Sequence, residues 1–151
     1  MPTLYKQWYV SFDLLVKGTA AAATTIFRIG DNVANVGNDG SRIPYVGLNS
    51  QNGKELSFAT SLNGNFNYGW YDDGSNFNVW TRVVLSQLKI DSGDGGVQYR
   101  YTIRINDENK KQEINTAAKT YTNMKAYASD NFQYAATDAR IDNLVIATGG
   151  M

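Results

Sequence analysis

A chain of 151 residues, 42% hydrophobic and 13% aromatic, is long enough to bury a sizeable core without cross-links. Lys and Arg number 14 and Asp and Glu 14, so no net field draws the protein to nucleic acid or to an anionic membrane. Cysteine and histidine are both missing, which removes disulfide frameworks, thiolate and imidazole metal sites, Ser-His-Asp and Cys-His chemistry, zinc hydrolysis and base deamination. An enzyme made from this sequence would have to run on carboxylates, Lys or Tyr. No stretch approaches the roughly 20 apolar residues of a membrane helix, so no membrane insertion is expected. The opening MPTLYKQWYV lacks a charged-then-apolar leader pattern, which does not bear on secretion, because a leader is removed from a mature chain.

In chain order, WYVSFDLLVKG places Trp8, Val10, Phe12, Leu14 and Val16 on one face and Ser11, Asp13 and Lys17 on the other. That period of two is a half-buried strand of an antiparallel sheet. TAAAATT is short, uncapped and flanked by β-branched residues, and reads as loop or strand edge. Strands follow over 24–29, 43–48, 55–61 and 65–71, separated by NVGNDGSR, NSQNGK and YDDGSN, all rich in turn formers. WTRVVLSQLKI then runs through DSGDGG into VQYRYTIRIND, a hairpin. In its second arm Tyr99, Tyr101, Ile103 and Ile105 face one way, and Arg100, Thr102, Arg104 and Asn106 the other, as an ordinary solvated face. NDENKK reads as a charged turn in water, and strands over 111–115, 120–128 and 139–148 bring the total to about ten, a sandwich or barrel. Nothing in the chain has linker or repeat composition, so 1–151 is expected to be a single domain.

Three stretches in succession carry a resemblance: TTIFRIG with RIPYVGLNSQNGKELSFATSLNGN, then FNVWTRVVLSQ with YRYTIRIND, then YTNMKAYASDNFQYAATDARIDNLVI. Over residues 7 to 148 the chain resembles the laminin-G-like members of the concanavalin A-like superfamily, particularly extracellular modules of marine invertebrate type. Its markers, Trp80 with Val83 and Leu85 and the closing IDNLVI, read as core positions and carry no chemistry. The resemblance implies an all-β fold, an antiparallel two-sheet jelly-roll sandwich with the strands at 7–17 and 139–148 as neighbours. It also implies an extracellular place and binding of glycans, often through calcium, or of other extracellular proteins, with a minority of glucan hydrolases.

The hydrolase branch can be tested on the residues. A retaining glycosidase needs two carboxyl groups about 5–5.5 Å apart, which on one strand means offsets of two or four. Glu55, Glu108 and Glu113 have no carboxylate at those offsets within a predicted strand, and the Glu-x-Asp-x-x-Glu signature of the family's glucanases is missing. The expectation is therefore a protein that is not an enzyme. Calcium takes six to eight oxygens. Asp31 with Asn32 and Asn38 with Asp39 are candidate donors, as are Asp72 with Asp73 and Asn76, and Asp91 with Asp94. Asp and Asn are equally the favoured turn residues, and the resemblance raises calcium as a cofactor without choosing among these clusters.

Sugar binding asks for an aromatic face and a few fixed polar groups. In NYGWYDDGSNFN, adjacent Trp70 and Tyr71 point to opposite faces of a strand, and Asp72, Asp73, Asn76 and Asn78 follow. The competing reading is a strand-end aromatic closing the core over a turn. A second candidate is SDNFQYAATDAR, with Asp130, Asn131, Tyr134 and Arg140. In the resembling modules it is a rim loop, and its end of the sandwich is not readable from sequence. The sequence reading is thus a lectin-like module that binds a glycan through these residues, with calcium assistance at Asp31 and Asp39. The alternative is an extracellular adhesion or structural module that binds a protein partner or self-associates into a homo-oligomer.

Overall fold

The computed structural model describes residues 3–17, 24–31, 38–49, 55–72, 77–128, 134–135 and 138–149. Thirteen strands are described: β1 (Thr3–Leu4), β2 (Gln7–Val16), β3 (Thr24–Gly30), β4 (Tyr45–Leu48), β5 (Leu56–Leu62), β6 (Asn65–Asp72), β7 (Thr81–Asp91), β8 (Val97–Ile105), β9 (Glu108–Asn115), β10 (Tyr121–Thr122), β11 (Lys125–Tyr127), β12 (Tyr134–Ala135) and β13 (Ala139–Gly149). One sheet runs β13-β2-β7-β8-β9, a second β11-β3-β4-β5-β6 with β12 also on β3, and β1 pairs with β10. No helix among the described residues is long and apolar enough to cross a membrane. The first and last long strands are antiparallel neighbours, as the resemblance implied.

Burial follows the alternation. Trp8, Val10, Phe12, Leu14 and Val16 of β2 and Val83, Leu85, Tyr101, Ile103 and Ile105 of the β7–β8 hairpin all face inward. They meet Phe27, Ile29, Val46 and Phe58 of the opposite sheet, with the Phe12 and Phe27 rings in tilted contact across the gap at 5.7 Å between centroids. Side chains on alternating positions of two facing sheets make the core of such a sandwich.

β3 is buried on both faces, which alternation alone does not produce. Its outer face lies beneath the segment that ends in Ser41 and Arg42. Arg28 donates from Nη1 to the Ser41 and Asp31 carbonyls, and its guanidinium lies over the Tyr127 ring at 4.2 Å. Beside it the Arg42 guanidinium covers the Tyr45 ring at 4.0 Å. Tyr45 itself lies over Gly47, where a Cβ would run into the Tyr45 hydroxyl and the Thr24 carbonyl.

Two strand predictions change in extent. NDENKK is a turn only at Asn106 and Asp107, whose φ values of 50° and 67° build a two-residue connection, so β9 already begins at Glu108. The stretch 120–128 is divided at Asn123, φ 57°, into β10 and β11, with Met124 buried between them. TAAAATT lies mostly outside the described residues.

Candidate functional site

Strand register decides which loops meet. Tyr134, Thr24, Leu48, Leu56 and Asp72 form one row across the second sheet, through successive pairings of β12, β3, β4, β5 and β6. In the first sheet Val16 is opposite Ala139, the Asn78 amide donates to the Val16 carbonyl at 2.7 Å, and the Lys17 amide donates to the Asp138 carbonyl at 2.8 Å. The chain passes from Asp72 to Thr81 at this same end. The described parts of the 70–78 and 130–140 stretches therefore share one end of the sandwich, which sequence could not decide.

At this rim Tyr71 is 56% exposed and Trp80 is 50% exposed. Trp70, on the inward side of β6, is half-buried and packs on Phe58 with ring centroids 5.8 Å apart. Trp80, read from sequence as a core position, is instead a surface residue. The reason is parity: Val83 and Leu85 face inward, so Trp80, an odd number of residues before each, falls on the other side. Val79 beside it is 54% exposed.

Asn78 is exposed and held at φ 63°, and Arg140 is exposed on the outer side of β13. Asp72 is 3% exposed, so its carboxylate lies behind the rim surface. Asp73, Asn76, Asp130 and Asn131 lie outside the described residues, as does the side chain of Tyr134.

Asp31 and Asp39 are brought together at the opposite end, where the Asp31 amide donates to the Gly40 carbonyl at 2.9 Å. The Asp39 carboxylate accepts from the Tyr121 hydroxyl at 2.7 Å and from Ser61 Oγ at 3.4 Å, and pairs with the Lys119 ammonium. Burial by itself pushes this carboxyl up, but the bonds from Lys119 and Tyr121 and the Lys119 charge outweigh it and hold the group below the usual carboxylate value. Among the described residues no three acidic side chains gather, and a cation at Asp39 would first have to displace the Lys119 ammonium. The described donors here, with Asp39 already paired to Lys119, do not fit calcium.

The same end carries a buried amide cluster that links the sheets. Asn115 Nδ2 donates to the Ser61 carbonyl at 3.2 Å and to Gln87 Oε1 at 2.7 Å, while its Oδ1 accepts from the Asn63 and Ala117 amides. Asn63 and Gly64, φ 53° and 81°, form the tight turn between β5 and β6 that delivers this contact.

No protein-family model matches the chain, and no curated protein sequence matches it. Among solved structures it is similar to the botulinum neurotoxin type G receptor binding domain, with 14% identity and a TM-score of 0.61 over 95% of this chain and 35% of that one. It is similar also to the CBM40 of a Ruminococcus gnavus IT-sialidase bound to α2,3 sialyllactose, at 11% identity and TM-score 0.59, over 95% of this chain and 75% of that one. A third is an endo-β-1,4-glucuronan lyase from the fungus Trichoderma reesei, at 12% identity and TM-score 0.58, covering 95% and 68%. The chain thus spans about a third of the toxin domain and most of the other two. It has an antiparallel two-sheet jelly-roll sandwich fold.

Proposed function

We propose that the chain is a non-catalytic, extracellular glycan-binding module whose ligand rests on the rim between β6, β7 and the start of β13. The observation that carries this reading is the pair of exposed aromatic residues, Tyr71 and Trp80, at the one end where Asn78 and Arg140 are also exposed. Exposed Trp and Tyr offer flat apolar area with a polar edge, the surface a pyranose face stacks on. Asn78 and Arg140 supply donors for hydroxyls, and Asp73, Asn76, Asp130, Asn131 and Tyr134 are included in the proposed ligand set from the sequence alone. Two similar structures, a receptor binding domain and a module bound to sialyllactose, support binding as the use of this fold.

The glutamates support the absence of catalysis. Glu113 pairs with Lys111 at 3.0 Å and Glu108 with Lys110 at 3.3 Å, both on β9, and Glu55, just before β5, accepts from Asn49 at 2.8 Å, so each is already engaged. Asp31 and Asp39, the calcium candidates of the sequence, lie at the far end from this rim, so binding is expected to survive a chelator. A glycan array followed by calorimetry tests the reading. Binding lost in Tyr71→Ala and Trp80→Ala supports it, and silence across neutral and acidic glycans overturns it.

A second reading has its own observation. Leu144 and Val145, 45% and 48% exposed, lie on the edge strand β13, a place where another chain can add. The bulge between Asp142 and Val145, with Asn143 at φ 53°, interrupts that edge and disfavours continuous pairing. Light scattering over a concentration range separates a self-associating module from a monomeric one.

A further inference from the structure

We propose that the outer face of the five-stranded sheet is a second binding surface, separate from the rim, that takes an acidic polysaccharide by seating uronate carboxylates on Arg100 and Arg104. Both project from the outward side of β8 into a shallow groove of about 260 Å3 across β2, β7, β8 and β9. Among the described residues no acidic one lines that groove. Among the described residues neither guanidinium has a carboxylate partner. Among the described residues Arg104 donates to the Asp107 carbonyl, at 3.1 Å. Arg100 is held in orientation by Gln112: with the amide turned so that its oxygen faces the guanidinium, it accepts from Nε at 2.7 Å and from Nη1 at 3.2 Å. Two guanidinium groups held in place, with the nearest acid on this face, Asp13, taken up by Arg82, are a complement for planar anions that accept two hydrogen bonds at once.

The rest of the face indicates what carries those anions. Four residues of strand separate Arg100 from Arg104, roughly 14 Å, too far for one sugar ring to reach both. Thr102 stands midway between them, and on β7 beside Arg100 lies Leu88, 45% exposed. Tyr9 closes the groove on the β2 side. Cations at the two ends, hydroxyl and amide donors between them and an apolar floor suit a chain of acidic pyranoses, which presents all three kinds of surface. Nucleic acid suits it less: the chain has no net positive charge, and one tyrosine is not a stacking platform.

The test is calorimetry of the whole chain with polygalacturonate, with neutral dextran, dextran sulfate and poly-dT as controls. The native chain should bind the polyuronate and not the dextran. Arg100→Gln with Arg104→Gln should weaken it at least about tenfold, with the thermal midpoint and the rim glycan's affinity unchanged, and Trp80→Ala should leave polyuronate binding as it was. If the double variant is poorly folded, Arg104→Gln alone, at an exposed site, carries the comparison and should weaken binding several-fold. No polyuronate binding, equal binding by the variants, or equally tight binding of dextran sulfate or poly-dT would overturn the proposal, and none of these outcomes bears on the rim.

Discussion

Replacing Trp70 and Trp80 one at a time separates packing from recognition. A fully buried Trp costs about 3–5 kcal/mol when cut to Ala. Trp70 is half-buried and stacks on Phe58, so its loss should cost about 2 kcal/mol, a fall in melting temperature of roughly 4–8 °C at this chain length. Trp80 leaves half of its surface in solvent, and the space it vacates opens to water and leaves no cavity, so Trp80→Ala should cost about 1 kcal/mol or less. In binding the order reverses. An aromatic anchor truncated at a recognition surface typically costs about 2 kcal/mol or more, around thirtyfold in affinity. Differential scanning calorimetry and glycan titration of both variants test this together. The reasoning is refuted if Trp80→Ala binds like the native chain, or if Trp70→Ala loses binding while melting normally.

Other consequences are open to test. Asn115→Leu strips the Ser61 carbonyl, Gln87 Oε1 and the Asn63 amide of a buried partner and should lower stability by about 3 kcal/mol, read from the urea midpoint. Because Asp39 has a lowered folded-state value, its contribution is present above the unfolded-state value near pH 4 and is lost as pH falls through the folded one. Asp39→Asn should therefore be less stable than the native chain at pH 6 and converge on it below pH 4; a constant difference from pH 2 to 6 would contradict the assignment. Chelator should leave both the melting temperature and glycan affinity unchanged, whereas a calcium-dependent rise in either would place a cation in the protein.

Much of the fold was legible because two-sheet packing writes itself into the sequence as a period of two. β2 shows it along its length, with Ser11 the one outward residue also buried, and β8 shows it from Tyr101 to Ile105. β3 hid its environment, since Arg28 and Tyr45 are buried by a covering segment that alternation cannot reveal. Trp80 is the instructive miss. Its size suggested core, but its odd offset from Val83 and Leu85 already placed it outside, and parity was the better guide. Arg100, Thr102 and Arg104 were correctly outward, yet a solvated face and a groove read alike until β2, β7 and β9 are set beside them. The shared end of the two rim stretches depends on strand order and register, which are properties of distant pairings that no local pattern records.

The measurement that bears most directly on the glycan-binding rim is mapping of backbone amide shifts during titration with an array-selected neutral oligosaccharide. Shifts should concentrate at Tyr71, at residues 78–81 and at residues 138–140, and fade across the sheets. Shifts gathered instead at the opposite end, around Ser61, Asn63, Asn115 and Tyr121, would contradict it.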